Sequence, residues 1–274
     1  MGKDIYESKR FKYAVALLKI ACLCLLIGRA WQHFFWTTPY ADIFPFNDPL
    51  HLKWFNCIIG GIFTLGILVI LFYNRNIKWH KLLLYFITVT LFFLAVAYWV
   101  TKEYRWTQLF EYSAQVSAIP LLLYLLSNKY NAQRFQIICS IMIAFTFTAH
   151  GLYALGFPYT TPAGFIEMTM KILHLNVDHA KLFLGLAGML DILLTIGLFF
   201  KSTQRAALTY AFFWGAITAM ARVIAYFDML SPFSSLHRWL YETIHRAPHA
   251  ILPLTLLMLS GYLIFSTKKE EIFS

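Results

Sequence analysis

Long apolar runs recur along the chain, separated by short polar stretches that carry basic residues, and this alternation predicts helices that cross a lipid bilayer. A transmembrane helix needs about 20 mainly apolar residues. Eight stretches reach that length: 13–35, 55–73, 82–100, 109–126, 135–157, 180–200, 206–227 and 247–266. The fourth is the weakest, because Glu111, Gln115 and Pro120 interrupt it. The expected fold is all-α, a polytopic integral membrane protein of about eight transmembrane helices.

Lys and Arg in alternate gaps set the orientation. One set holds 13 of them: Lys3, Lys9, Arg10 and Lys12 before the first run, then Arg75, Lys78, Lys81, Lys129, Arg134, Lys201, Arg205, Lys268 and Lys269. The other set holds seven, spread over longer gaps. Both termini are therefore expected in the cytoplasm. The basic N-terminus followed by the apolar run 14–27 resembles a signal peptide. Arg29, Trp31 and His33 stand where the small residues of a cleavage site would be, so an uncleaved first helix is expected.

Two outer gaps have helical periodicity of their own. Within 161–177, Glu167, Lys171 and His174 recur on one face, with Asp178 continuing the series, and Phe165, Met168, Ile172 and Leu175 form the opposite stripe. That pattern predicts a helix lying in the membrane interface. A shorter candidate covers 235–245.

The halves of the chain resemble each other. The run from Gly28 to Phe35 ending at Pro39-Tyr40 matches the run from Ala149 to Gly156 ending at Pro158-Tyr159. Gly60-Gly61 matches Ala187-Gly188, and Ile119-Pro120-Leu121 matches Leu252-Pro253-Leu254. The expectation is two four-helix units, 1–130 and 131–274. With an even number of crossings in each, the units would be parallel, related by an axis along the membrane normal.

Composition agrees with this picture. The chain is 59% hydrophobic and 13% charged, against about a quarter charged in soluble domains. Its net charge of +10 lies in short gaps and not on one solvated face, which favours a lipid surface over nucleic acid. Cys22, Cys24, Cys57 and Cys139 all sit in or beside apolar runs, so they read as small core residues and not as a disulfide framework.

Ionisable groups inside a membrane helix are costly and are paired or functional by default. The candidates are Arg29, Glu111, His150, Asp191, Arg222, Arg246 and His249. Only Asp191 falls near the midplane; the others occupy the outer half of the bilayer. Two readings compete. Either buried ion pairs, such as Asp191 or Glu111 with Arg222, pin the helices together. Or these groups line a pocket open to the outer side, whose arginines suit an anionic or quinone-like head group. No metal site is expected. Haem between His150 and His249 is disfavoured because their depths differ by about a turn.

The stretch from His150-Gly151-Leu152-Tyr153 through Gly185-Leu186-Ala187-Gly188-Met189-Leu190-Asp191-Ile192 resembles the DoxX-like family of small bacterial membrane proteins. Asp191 stands where that family tends to have Glu; in the first half, Thr64 takes the place. The resemblance implies a bacterial inner-membrane protein, a non-catalytic or quinone-linked subunit with a membrane or periplasmic redox partner, and no activity or cofactor of its own beyond a quinone. A fainter similarity to the horizontally transferred transmembrane domain implies an enzyme acting on a lipid or vitamin-K-like substrate. Apart from any resemblance, prolines Pro120 and Pro253 at matching places favour a transporter or channel for a small anionic solute or lipid.

Overall fold

The computed structural model describes residues 9–46 and 48–270, with side chains as far as residue 260. Lys3 lies outside the described residues, as do the side chains of Lys268 and Lys269. Every regular element among the described residues is helical. In chain order they are α1 (Lys9–Phe35), a 3-10 turn (Pro39–Asp42), α2 (Pro49–Leu71), α3 (Lys78–Thr101), α4 (Trp106–Glu111) and α5 (Ser113–Leu125). There follow α6 (Ala132–Leu155), α7 (Ala163–Leu173), α8 (Val177–Gly197), α9 (Gln204–Tyr226), α10 (Pro232–His245) and α11 (Pro248–Glu270). Helices α1, α2, α3, α6, α8 and α9 are long and apolar enough to cross a membrane.

Short polar residues start these helices where the pattern changes. The Asp48 carboxylate accepts from the Leu50 amide at 2.8 Å, and Pro49 occupies the first turn. Asn131 and Asn176 cap α6 and α8 in the same way, each satisfying an amide that has no partner inside its helix. Gly156 ends α6 with φ +73°, a left-handed conformation that glycine adopts without strain.

The fourth predicted span is two pieces. It breaks at Tyr112, leaving α5 with 13 residues, about 20 Å of helix. The break lies next to Glu111, where the polar side chains face inward, so the sequence signal that weakened this span marks the place where it divides.

Helices α1, α5, α6 and α11 make the centre, each of α5 and α11 packing on both α1 and α6. Helices α2, α3, α8 and α9 lie outside them and expose large apolar residues such as Leu68, Phe86, Leu193 and Ile224. An apolar belt of this extent is compatible with a multi-pass membrane protein.

Glycines set the closest crossings. A Cβ on Gly188 would fall 2.6 Å from the Gly151 carbonyl oxygen, and one on Gly151 would fall 2.9 Å from that of Gly188. Backbones of α6 and α8 therefore touch, as small residues permit in membrane helix pairs. Gly28 does the same for α1 against α10, and Gly215 for α9 against the first turn of α11 at His249.

Both outer candidates are helical. The first is α7, which ends at His174, in a left-handed conformation, and so is shorter than 161–177. Its apolar stripe packs on α8 and α9, and its polar stripe forms the Lys171–Glu167 pair at 2.8 Å. The Lys171 ammonium holds the Glu167 carboxyl below the usual carboxylate range. The second, α10, lies across α1 and α9, donating from the Thr243 hydroxyl to the Ala219 carbonyl at 2.9 Å.

Candidate functional site

The seven candidate residues separate into a buried polar network and the edge of a chamber. Glu111, Arg222 and Arg29 lie outside the chamber lining, and Arg29 is the most deeply buried of the three. It is 1% exposed, donates to the Gln32 side-chain oxygen at 2.7 Å and to that of Gln115, and lies 5.2 Å from the Tyr112 ring centre. Its partners are neutral amides and an aromatic face.

Glu111 sits between His150 and Arg246. Its Oε1 is 3.8 Å from His150 Nε2 and 3.9 Å from Arg246 Nη2, and its Oε2 accepts from Gln108 at 3.0 Å. The expected pairing of Asp191 or Glu111 with Arg222 does not form. Arg222 instead donates to Glu242 of α10, 2.8 Å away, and Glu242 also faces Arg246 at 3.9 Å. Glu242 was missed because it lies in an outer gap and not in an apolar run. The signal was available in the i,i+4 spacing of Glu242 and Arg246 on a candidate helix. Two arginines, Arg222 and Arg246, are thus joined to two glutamates, and Arg29 is the cation left to neutral partners.

Asp191 does not neutralise the arginines. It is 2% exposed and has no cation within ion-pair distance among the described residues. The Tyr210 hydroxyl donates to it at 3.5 Å, and the Trp214 indole also hydrogen-bonds to it. Its pairing could not be read from depth, because α8 turns it towards α9, away from α1 and α10.

The chamber has a volume of about 150 Å³. Its roof is the apolar stripe of α7 with Phe165, Met168 and Ile172; Phe183 and Trp214 form the sides, and Asp191 lies in the wall contributed by α8. The polar side carries His150, Arg246 and His249. The two histidine rings meet, with centroids 5.4 Å apart and planes at 72°. Rings in contact leave no room for a porphyrin between them.

His249 is fixed in one tautomer. Its Nδ1 lies 3.0 Å from the Arg246 carbonyl oxygen, which can only accept, so Nδ1 carries the hydrogen and Nε2 presents a lone pair. That Nε2 is buried with no hydrogen-bond partner, and so is His150 Nε2. An unsatisfied buried polar atom costs about 1–3 kcal/mol, which a ligand supplying the missing partner would recover.

Leu173, Phe183 and Ile217 line the chamber and are also 42%, 36% and 56% exposed. They lie on the apolar exterior of the bundle, where α7, α8 and α9 meet. The chamber therefore opens sideways through an apolar seam. A larger hollow of about 510 Å³ between α3, α4, α5 and α6 is lined by groups such as Phe92, Leu109, Pro120 and Met142, and among the described residues no carboxylate, histidine or arginine borders it.

No family model, curated protein or solved structure matches the chain.

Proposed function

We propose that this chain is a bacterial inner-membrane protein of eight crossings, with both termini cytoplasmic, that binds a lipid-soluble ligand in the chamber under α7. The observation that carries this reading is the chamber itself, an apolar space entered between lipid-facing side chains and bordered on one side by His150, His249 and Arg246. A ligand with an apolar body and an oxygen-bearing or anionic head matches both parts. The protein would act as a non-catalytic or redox-linked subunit of the kind the DoxX-like resemblance implies, a quinone being one such ligand. The site differs from the water-facing pocket anticipated by the sequence in two respects: Arg29, Glu111 and Arg222 lie outside its lining, and its opening faces lipid.

Packing supports two parallel repeats, residues 1–130 and 131–274. Pairing α1 with α6, α2 with α8, α3 with α9, α4 with α10 and α5 with α11 carries nearly every helix contact of one half onto a contact of the other. Helix α4 packs on α6 as α10 packs on α1, and the 3-10 turn packs on α3 as α7 packs on α9. The contact between α5 and α11 maps onto itself, as a two-fold axis requires. Phe34 covers Gly60 as Leu155 covers Gly188, which puts Phe63, and not Thr64, at the place of Asp191.

A second reading, a transporter, is favoured by Pro120 and Pro253 lying inside the two helices that meet on this axis. Reagent access separates the two. With the native cysteines replaced and a single cysteine introduced at Ala187, a lipid-soluble maleimide is expected to label the chamber and a charged, membrane-impermeant one to leave it unlabelled. Rapid labelling by the charged reagent from outside would favour the transporter and overturn the lateral-entry reading.

A further inference from the structure

The chamber's occupant has a counterpart inside the protein. The step along the chain that carries Gly60 onto Gly188 also carries Phe55 and Phe63 onto Phe183 and Asp191, and the step that carries Phe34 onto Leu155 carries His33 onto Ala154. Phe183, Asp191 and Ala154 all line the chamber. In the first half, the space beside His33 and Phe55 is filled by Tyr40, which is fully buried. Its ring stacks on Phe93 at 5.7 Å with planes 12° apart and takes the edge of Phe55 at 5.0 Å. Phe93 belongs to α3, and Trp214 of α9 is the aromatic that borders the chamber from the matching helix.

The polar end comes from a different helix, His33 standing on α1 and His249 on α11 rather than on α6, but the two rings are committed alike. His33 Nδ1 lies 2.7 Å from the Arg29 carbonyl oxygen, so its Nε2 presents a lone pair, and the Tyr40 hydroxyl donates to it at 3.2 Å. His249 has the same arrangement, with Nδ1 committed to the Arg246 carbonyl and Nε2 buried, but no hydroxyl meets it. Where the first half has Tyr40, the second has α7 as a roof and an open chamber beneath. About 150 Å³ is the size of an engineered cavity that accepts one benzene ring.

We infer that the chamber takes the head of a phenolic lipid, a single six-membered ring bearing a hydroxyl, held between Phe183 and Trp214 with its hydroxyl donating to His249 Nε2. The inference rests on the reading of the chamber as a lipid-ligand site and names the chemistry of that ligand. The hydrocarbon tail leaves through the seam at Phe183 and Ile217. Tyr40 is the protein's own version of the same group, tethered and tailless.

The test uses the purified full chain in detergent and three photoreactive probes with one isoprenoid tail: a phenol head, the methyl ether of that phenol, and a phosphate head. The phenol probe is expected to bind once per chain and to label α7 or α9, with the methyl ether at least about tenfold weaker, because it has no hydrogen to donate. His249→Phe, which keeps a ring of similar bulk, should reduce phenol binding by a similar factor and leave the ether unchanged. Tyr40→Ala should add a second phenol site and Tyr40→Phe should not; the His249 comparison stands by itself if Tyr40→Ala does not fold. Equal binding of phenol and ether, or binding of the phosphate probe alone, overturns the phenolic head while the chamber reading survives. Filling the chamber with Ala187→Phe separates the two failures: if it changes the binding of none of the probes, the chamber reading falls too.

Discussion

Gly188→Leu is expected to lower the apparent melting temperature of the detergent-solubilised protein by roughly 6–12 °C, corresponding to about 3 kcal/mol. The added side chain would begin 2.6 Å from the Gly151 carbonyl oxygen and 2.8 Å from the Leu155 side chain. The first of these neighbours is backbone in a helix and cannot rotate away. Relief requires α6 and α8 to separate, which would open the closest crossing in the second half and move Asp191 and His150 apart. Gly185→Leu is the control. It adds the same side chain to the same helix less than a turn away, where a Cβ meets nothing within 4 Å, and it should leave the melting temperature nearly unchanged. Equal losses from the two would mean that leucine acts through something other than the crossing.

Glu242→Gln is expected to cost about 3 kcal/mol, because it leaves Arg222 without a carboxylate in a part of the bundle where Glu242 is only 12% exposed. Removing one member of a buried pair leaves a charge without compensation, and Arg246 would retain only Glu111, at 3.9 Å. The double change Glu242→Gln with Arg222→Gln should recover much of the loss, since it removes the stranded cation along with the anion. Thermal unfolding of the two variants checks this. If Glu242→Gln alone is neutral, water reaches these arginines, and the network is not the sealed structure described above.

Much of the fold was legible in the sequence. The apolar runs located the long helices within a few residues, the opposed stripes of 161–177 identified one more outside them, and 235–245 was a shorter candidate for another. The break at Tyr112 was legible only as a weakness, because hydropathy records that Glu111 and Gln115 are misplaced in lipid but not that a short α4 turns them inward. The site was less legible. The residue types that border the chamber, His150, Asp191, Arg246 and His249, were singled out, yet pairing depends on helix rotation, which a single sequence does not fix. Glu242 escaped because only charges inside apolar runs were weighed. The chamber escaped because it exists only once α7 folds back over α8 and α9, and its counterpart in the first half is hidden by Tyr40.

The chamber under α7 is expected to hold a lipid-soluble molecule. Native mass spectrometry of the protein released from its own membranes tests it most directly, comparing the unmodified chain with Ala187→Phe, whose added ring occupies the chamber. The predicted result is one bound non-protein mass per chain that survives detergent exchange in the unmodified protein and is missing from the folded variant. Identical bound masses in the two proteins, or none in either, would contradict it.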